Sequence, residues 1–409
     1  MAAAYGIEKI GVYPTRLSLD LELLAAARGH DRDHLRQQLM VRERGINPPW
    51  EDTVTMAVNA ARPMLSEEDR RSIGLLITAT ETGLDNEKAV SSWVLDFLGL
   101  PSACRHFEIK IACYAGTAAL RMALAWLMSG MARPGQKALV ITSDESLNAF
   151  GQPWEYVGGG GAVALLLSDR PDFVAIRPDQ FGVHAHEVSD VIRPLPWLET
   201  GNSEHSLFSY MEALVESYDD FRAHTGLCDY EADFAANIFH VPFSGISRRA
   251  HRQLMRLHGD PSDETVANSF GRKVLPSLRY ASRIGGTYGG SVFIALLGAV
   301  DGMDLVAGDR VGVFSYGSGS CAEFYAVEVT ARSKAVAAGL RLGDGLDRRF
   351  AVTVGQYEVL ERARDVRLRS PDFARDAELV PGLYESHYRG QGLLVLERID
   401  NHYRHYAFS

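Results

Sequence analysis

The sequence predicts an α/β protein made of two halves. Three observations point there. Short apolar runs alternate with helix-length segments up to about residue 170, the theme returns more weakly after about residue 235, and glycine clusters fall between the runs, where loops belong. A chain of 409 residues also suggests two or three folding units at about 150 residues each.

In the first half, IGLLITAT (73–80) reads as a buried strand and HFEIKIA (106–112) as the next. GTAALRMALAWLM (116–128) has the period and composition of a helix. KALVITSD (137–144) and AVALLLSD (162–169) are again strands. In the second half, NIFHVPF, SVFIALLGAV, RVGVFSYGSGS, EFYAVEVTA and GLLVLERID are strand or helix candidates, too short for periodicity to choose. The stretch 178–233, rich in charged, aromatic and proline residues, reads as an insertion or lid between the halves. GGGG (158–161), IGGTYGG (284–290) and YGSGS (316–320) permit sharp turns or close approach of backbone to a ligand. Neither a Walker A segment nor GxGxxG occurs, so a phosphate-cradling nucleotide site is not expected.

Composition removes further classes. With 46% hydrophobic residues and no low-complexity tract, the chain is not of disordered type. Fifty-two acids against 42 bases give a net charge of −10, which disfavours nucleic acid or an anionic membrane as the main partner. The start, MAAAYGIEKIGVYPT, lacks a basic segment followed by an apolar one, so no secretory signal is indicated. The most apolar windows are interrupted by Arg121 or too short to span a bilayer. Cys104, Cys113, Cys228 and Cys321 show no CxxC spacing and read as reduced thiols of a cytoplasmic protein.

Three residues carry candidate chemistry. Cys113 stands between a strand and a helix, where amide donors and the helix dipole stabilise thiolate and lower its pKa; otherwise it is a buried apolar cysteine. His240 closes an apolar stretch and suits proton movement at neutral pH, or else is a satisfied core histidine. Glu81 ends a buried strand, where α/β sheets place ligands and where desolvation raises a carboxyl pKa; alternatively it caps a helix or is solvated. His184 and His186 form an HxH pair without a third ligand motif, so no metal site is expected. Glu216, Asp219 and Asp220 read as a solvated helix face.

Four ordered segments, ITATETGLDNEKAVSSWV, FEIKIACYAGTAAL, IFHVPFSG and GDRVGVFSYGSGS, together resemble the 3-hydroxy-3-methylglutaryl-coenzyme A synthase family. The resemblance runs from IEKIGVYPTRLSLD to IDNHYRHY. It implies a thiolase fold, with two similar α/β halves of mixed sheets sandwiched by helices, residues 1–170 and 171–409, paired into a homodimer. It implies that Cys113 takes an acetyl group from a thioester. Glu81 then removes a methyl proton, and the new carbanion attacks the ketone of an acetoacetyl thioester. His240 positions that acceptor, and water releases the product from Cys113. Tyr316, Gly317 and Ser318 fall in the family's substrate loop, and Ser206 on a second contact position.

The departures are specific. Gly286 stands where the family carries asparagine, Val157 replaces a threonine, and Gly245 replaces a lysine that holds coenzyme A phosphates, while Arg249 keeps a cation nearby. HVPFSGISRRAHRQLMR (240–256) is most similar to the polyketide β-branching members, which take acyl groups on the phosphopantetheine of carrier proteins. Arg248, Arg249, His251, Arg252 and Arg256 would supply part of a basic docking patch for an acidic carrier. No metal and no resident cofactor is implied. The alternatives are a mevalonate-pathway synthase acting on coenzyme A thioesters, and an acyltransferase that forms no carbon–carbon bond.

Overall fold

The computed structural model describes residues 4–146, 150–152 and 154–409. Among the described residues nine strands form one mixed sheet: β1 (Gly6–Tyr13), β2 (Ile73–Ala79), β3 (Arg105–Ile109), β4 (Lys137–Glu145), β5 (Gly160–Ser168), β6 (Val174–Ala185), β7 (Ala236–Phe239), β8 (Arg310–Gly317) and β9 (Cys321–Val329). Their order is β7-β8-β9-β6-β1-β5-β4-β2-β3. Strands β2, β4 and β5 are buried along their whole length, which is why their sequences are continuous aliphatic runs without alternation.

The order contains a repeat. β2 and β4 are parallel, β4 and β5 antiparallel, and β5 and β1 antiparallel. β7 and β8, β8 and β9, and β9 and β6 repeat that series. The two sets meet edge to edge at β1 and β6 through the antiparallel pairs Gly6–Ala175 and Ile7–Val174. Strands β2 and β7 are thus topologically equivalent. The segments that follow them carry Glu81 and His240.

Helices α1 (Ala115–Met128), α2 (Ser203–Thr225), α3 (Ile246–Arg256), α4 (Ser291–Gly302) and α5 (Val354–Arg369) cover the sheet and its loops. SVFIALLGAV is the helical stretch of α4 in which every residue from Ser291 to Val300 is buried. A helix enclosed all round shows no apolar face, so its sequence period was uninformative. α1 begins where Gly116 meets the carbonyl of Gly289; a Cβ at Gly116 would lie 2.6 Å from that oxygen.

Residues 178–233 take in the second half of β6, a separate hairpin (Val191–Leu195 with Leu198–Gly201) and α2. Asn202 caps α2 by accepting from the amides of Glu204 and His205, and Gly226 ends it at φ 72°. α2 lies against β6 and β9, with the Tyr218 and Phe221 rings 5.0 and 5.1 Å from Phe324. The approach is close enough that a Cβ at Gly182 would sit 2.1 Å from the Phe221 nitrogen. Among the described residues no helix is long and apolar enough to cross a membrane, and the four cysteines are free thiols.

Gly182→Ala is therefore expected to push α2 off the sheet and cost about 1–3 kcal/mol, measured by chemical denaturation. An unchanged midpoint would contradict the packing.

Candidate active site

The site begins at the carboxyl ends of β2 and β4, neighbours in parallel register through Ala79–Thr142. Asp144, buried near the end of β4, uses one oxygen, Oδ1, to gather the segment after β2. That oxygen accepts from the Glu81 amide (2.9 Å), the Thr82 amide (3.2 Å) and the Thr80 and Thr82 hydroxyls (both 2.9 Å). The loop is thereby fixed with the Glu81 carboxyl facing Cys113. The Cys113 thiol donates to Glu81 Oε1 at 3.5 Å. Cys113 follows Ala112, which turns the chain at φ 41°, and lies two residues before α1.

His240 arrives from the other half. Its amide donates to the Phe314 carbonyl (2.7 Å), and its own carbonyl accepts from the Tyr210 hydroxyl (2.9 Å). Ring Nδ1 lies 2.8 Å from Ser291 Oγ, which also accepts from the Val241 amide at 3.1 Å.

Burial dominates the electrostatics. Glu81 is pushed above the ordinary carboxylate range by desolvation first and by the charge of Asp144 second; Asp144 is raised by its own burial. Cys113 behaves opposite to the helix-dipole expectation. Desolvation and the neighbouring acids push its thiol well above the ordinary value, outweighing one helix terminus. His240 is lowered to about 3 by burial, so it is a neutral imidazole across the working range rather than a group poised at neutral pH. The resting site thus holds a protonated thiol against a carboxyl reluctant to ionise.

Glu81, Cys113 and His240 share a cavity of about 470 Å³. Ser206, Ser318, Tyr316, Gly286, Val157 and Arg249 also line it. The Tyr316 hydroxyl is already engaged with Ser209 (2.9 Å) and Asp190 (3.2 Å). Gly317 and Gly245 lie outside the wall. Gly317 packs on the Cys113 segment, where a Cβ would meet the Tyr114 nitrogen at 2.6 Å; at Gly245 a Cβ would meet the Gln38 carbonyl at 1.8 Å. No lysine fits at 245 without moving that backbone. At Gly286 a Cβ would lie 2.8 Å from the Val157 carbonyl, so a side chain there also requires a backbone shift.

Other residues enter the site unannounced. Asp144 stands at the end of a strand read correctly, and the rule that selected Glu81 applied to it equally. Arg193, Glu199 and Tyr288 line the same cavity and carry no local signal. His251, counted toward a basic patch, is instead buried between the Tyr230 hydroxyl (2.7 Å) and Ser269 (3.0 Å), and burial lowers it to about 4. His184 and His186 face each other, Nε2 to Nδ1 at 3.2 Å, and among the described residues no group of three ligands is placed to hold a metal.

The families described as hydroxymethylglutaryl-coenzyme A synthase N terminal and C terminal match residues 44–172 and 260–408. The chain belongs to the hydroxymethylglutaryl-coenzyme A synthase family. It is 35% identical to the polyketide biosynthesis 3-hydroxy-3-methylglutaryl-ACP synthase PksG of Bacillus subtilis, over 98% of this chain and 99% of that one. The hydroxymethylglutaryl-CoA synthase of Enterococcus faecalis is 31% identical over 87% of this chain and 91% of its own. The curacin-pathway HMG synthase, solved in complex with holo donor-ACP, superposes with a TM-score of 0.95 at 36% identity, covering 99% of this chain and 100% of that one. The fold is the thiolase fold of these synthases, and the chain is a condensing acyltransferase.

In this synthase, alkylation of Cys113 by iodoacetamide should show a midpoint above that of an ordinary thiol. Asp144→Asn, which keeps an acceptor oxygen but removes the charge, should move the midpoint down by about one unit. An ordinary wild-type midpoint would refute the electrostatic picture.

Proposed function

We propose that this synthase joins an acetyl group on Cys113 to the ketone of a β-ketoacyl thioester carried on an acyl carrier protein, in polyketide β-branching. The observation that carries the chemistry is the 3.5 Å contact between the Cys113 thiol and Glu81 in a cavity shared with His240. Cys113 attacks the donor thioester, and its thiol proton passes to the departing pantetheine thiolate. Glu81, as the carboxylate, removes a methyl proton from the acetyl-enzyme. The resulting enolate attacks the acceptor ketone, and the proton on Glu81 is delivered to the tertiary alkoxide. Neutral His240 holds the acceptor by hydrogen bonding, and water cleaves the Cys113 thioester to leave a carboxylate.

Carrier delivery is favoured by a groove of about 1150 Å³ between α2 and α3. Leu207 and Arg249 line both the groove and the catalytic cavity, so the two adjoin. One wall presents Arg248, Arg249 and Arg252, and Phe208 lies 69% exposed on the other. An acidic carrier helix meets cations there while its phosphopantetheine enters past Arg249. Glu212 and Glu216 on α2, and Asp263, which pairs with Arg252 at 3.2 Å, place acids in the same groove, which restricts the carrier's orientation. PksG is named as an ACP synthase, and the curacin enzyme binds a donor-ACP. The reading includes the division of the chain at about residue 170, a cytoplasmic setting and a homodimer.

Intact-protein mass spectrometry with acetyl- and acetoacetyl-carrier proteins tests the chemistry. Cys113→Ala should take up no acetyl. Glu81→Gln should acetylate yet condense about 100- to 10,000-fold more slowly. Acetylation that never leads to gain of a hydrated acetyl unit on the acceptor would favour simple acyl transfer.

Arg249→Glu should raise KM for carrier-bound substrate about tenfold or more while sparing short pantetheine thioesters. Equal effects on both would argue against a carrier-docking groove, and efficient turnover of coenzyme A thioesters would favour a mevalonate-type enzyme.

A further inference from the structure

The hairpin Val191–Gly201 pairs with no strand of the main sheet. A lone two-stranded hairpin is marginal in water unless something else holds it. Its apolar side chains do little of that holding: Val191, Ile192, Leu195 and Leu198 are 37–50% exposed. The side chains it does bury are charged. Arg193 and Glu199 are only 14% and 19% exposed, and both line the catalytic cavity. The Arg193 guanidinium pairs with Glu199, donates to the Glu81 carbonyl oxygen at 2.8 Å, and reaches the Tyr288 hydroxyl at 3.5 Å. At the hairpin tip, Trp197 lies beneath the Arg369 guanidinium, 5.3 Å from the ring centre.

We propose that Arg193 is a positioning residue that latches this hairpin over the active site, and that latching brings up a positive charge that favours the carboxylate form of Glu81. The inference rests on Glu81 being the base that takes the methyl proton. Every element packed around Glu81 contributes a group. Asp144 comes from β4, Cys113 from the loop before α1, His240 from the segment after β7, Tyr288 from the loop before α4, and Arg193 with Glu199 from the hairpin. Asp144 and Glu199 disfavour a further negative charge, His240 is neutral, and the thiol and phenol hold their protons. Arg193 is the cation facing Glu81, and Arg249 sits at the cavity mouth.

Lifting the hairpin removes Arg193 from the acids. Glu81 then keeps its proton, because a second carboxylate beside Asp144 has no counter-charge. With the hairpin down, Arg193 offsets part of that penalty, so more of Glu81 is carboxylate and able to take a proton from the acetyl methyl: the C–H bond breaks, an O–H bond forms, and the electron pair becomes the enolate. The latch thus confines proton abstraction to a closed cavity, where a reactive carbanion is shielded from water.

The test separates the two half-reactions. Wild type, Arg193→Met, Arg193→Lys and Glu81→Gln are acetylated from acetyl-carrier protein, then mixed with acetoacetyl-carrier protein across a pH series, each step followed by mass spectrometry. In Arg193→Met, condensation should fall about tenfold or more beyond any loss in acetylation. The acid limb of its pH profile should move up by about one unit. Arg193→Lys, which restores charge without the planar fork, should bring the limb back toward wild type while recovering only part of the rate. Hydrogen exchange at 191–201 should quicken in Arg193→Met, with little change in the unfolding midpoint because the hairpin lies outside the main sheet.

Equal losses in both half-reactions with an unmoved acid limb, or unchanged exchange in the hairpin, would overturn the latch. A dead Glu81→Gln beside such an Arg193→Met result overturns the latch alone. Normal condensation by Glu81→Gln overturns the base assignment and the latch with it.

Discussion

A single buried carboxylate oxygen organises this active site. Asp144 Oδ1 accepts four hydrogen bonds from Thr80, Glu81 and Thr82, and so turns the end of β2 into a rigid shelf for Glu81. The Glu81 amide there has no sheet partner and would otherwise be orphaned in the interior, while the Thr82 amide also donates to Thr80 Oγ1 at 3.0 Å. The same carboxylate raises the pKa of the group it positions. One residue therefore fixes the geometry and adds to the proton affinity that burial already raises.

The strand behind that shelf is itself clamped. Side chains alternate along β4, so Glu145 points away from the cavity that Asp144 serves. Arg364 and Arg367 of α5 hold Glu145 at 2.9 and 2.6 Å, all three nearly inaccessible to solvent. Arg364 also donates to the Ser146 carbonyl at 2.8 Å. Breaking such a buried set by removing one partner typically costs about 3–5 kcal/mol, so α5 fixes the height of the catalytic strand end.

The repeated strand pattern explains why acid and histidine meet. β2 and β7 occupy equivalent places in the two series, and Glu81 and His240 follow them directly. Parallel pairs present ligands at their carboxyl ends, and joining the two series at β1 and β6 directs both ends to one cavity. One half supplies acids with a thiol, the other a neutral imidazole. Desolvation suits this division, since forming a carbanion benefits from a carboxylate of raised basicity and from the exclusion of water.

What the sequence determined by itself was local and patterned. The aliphatic runs of β2, β4 and β5 marked buried strands because strands covered on both faces need no alternation. The ordered motifs around Glu81, Cys113 and His240 led to the family because those segments must fold into fixed turns at strand ends. Tertiary structure decided what depends on neighbours distant in the chain. The direction of the Cys113 shift reversed because burial first, and then the neighbouring Glu81 and Asp144, outweigh one helix terminus. His251 left the basic face because α3 turns it toward Tyr230 and Ser269. SVFIALLGAV became a helix because its central position buries every side, which erases the period. Arg193 came to face Glu81 across 112 residues of chain. No local pattern encodes such a contact; it exists only once the hairpin is folded over the cavity.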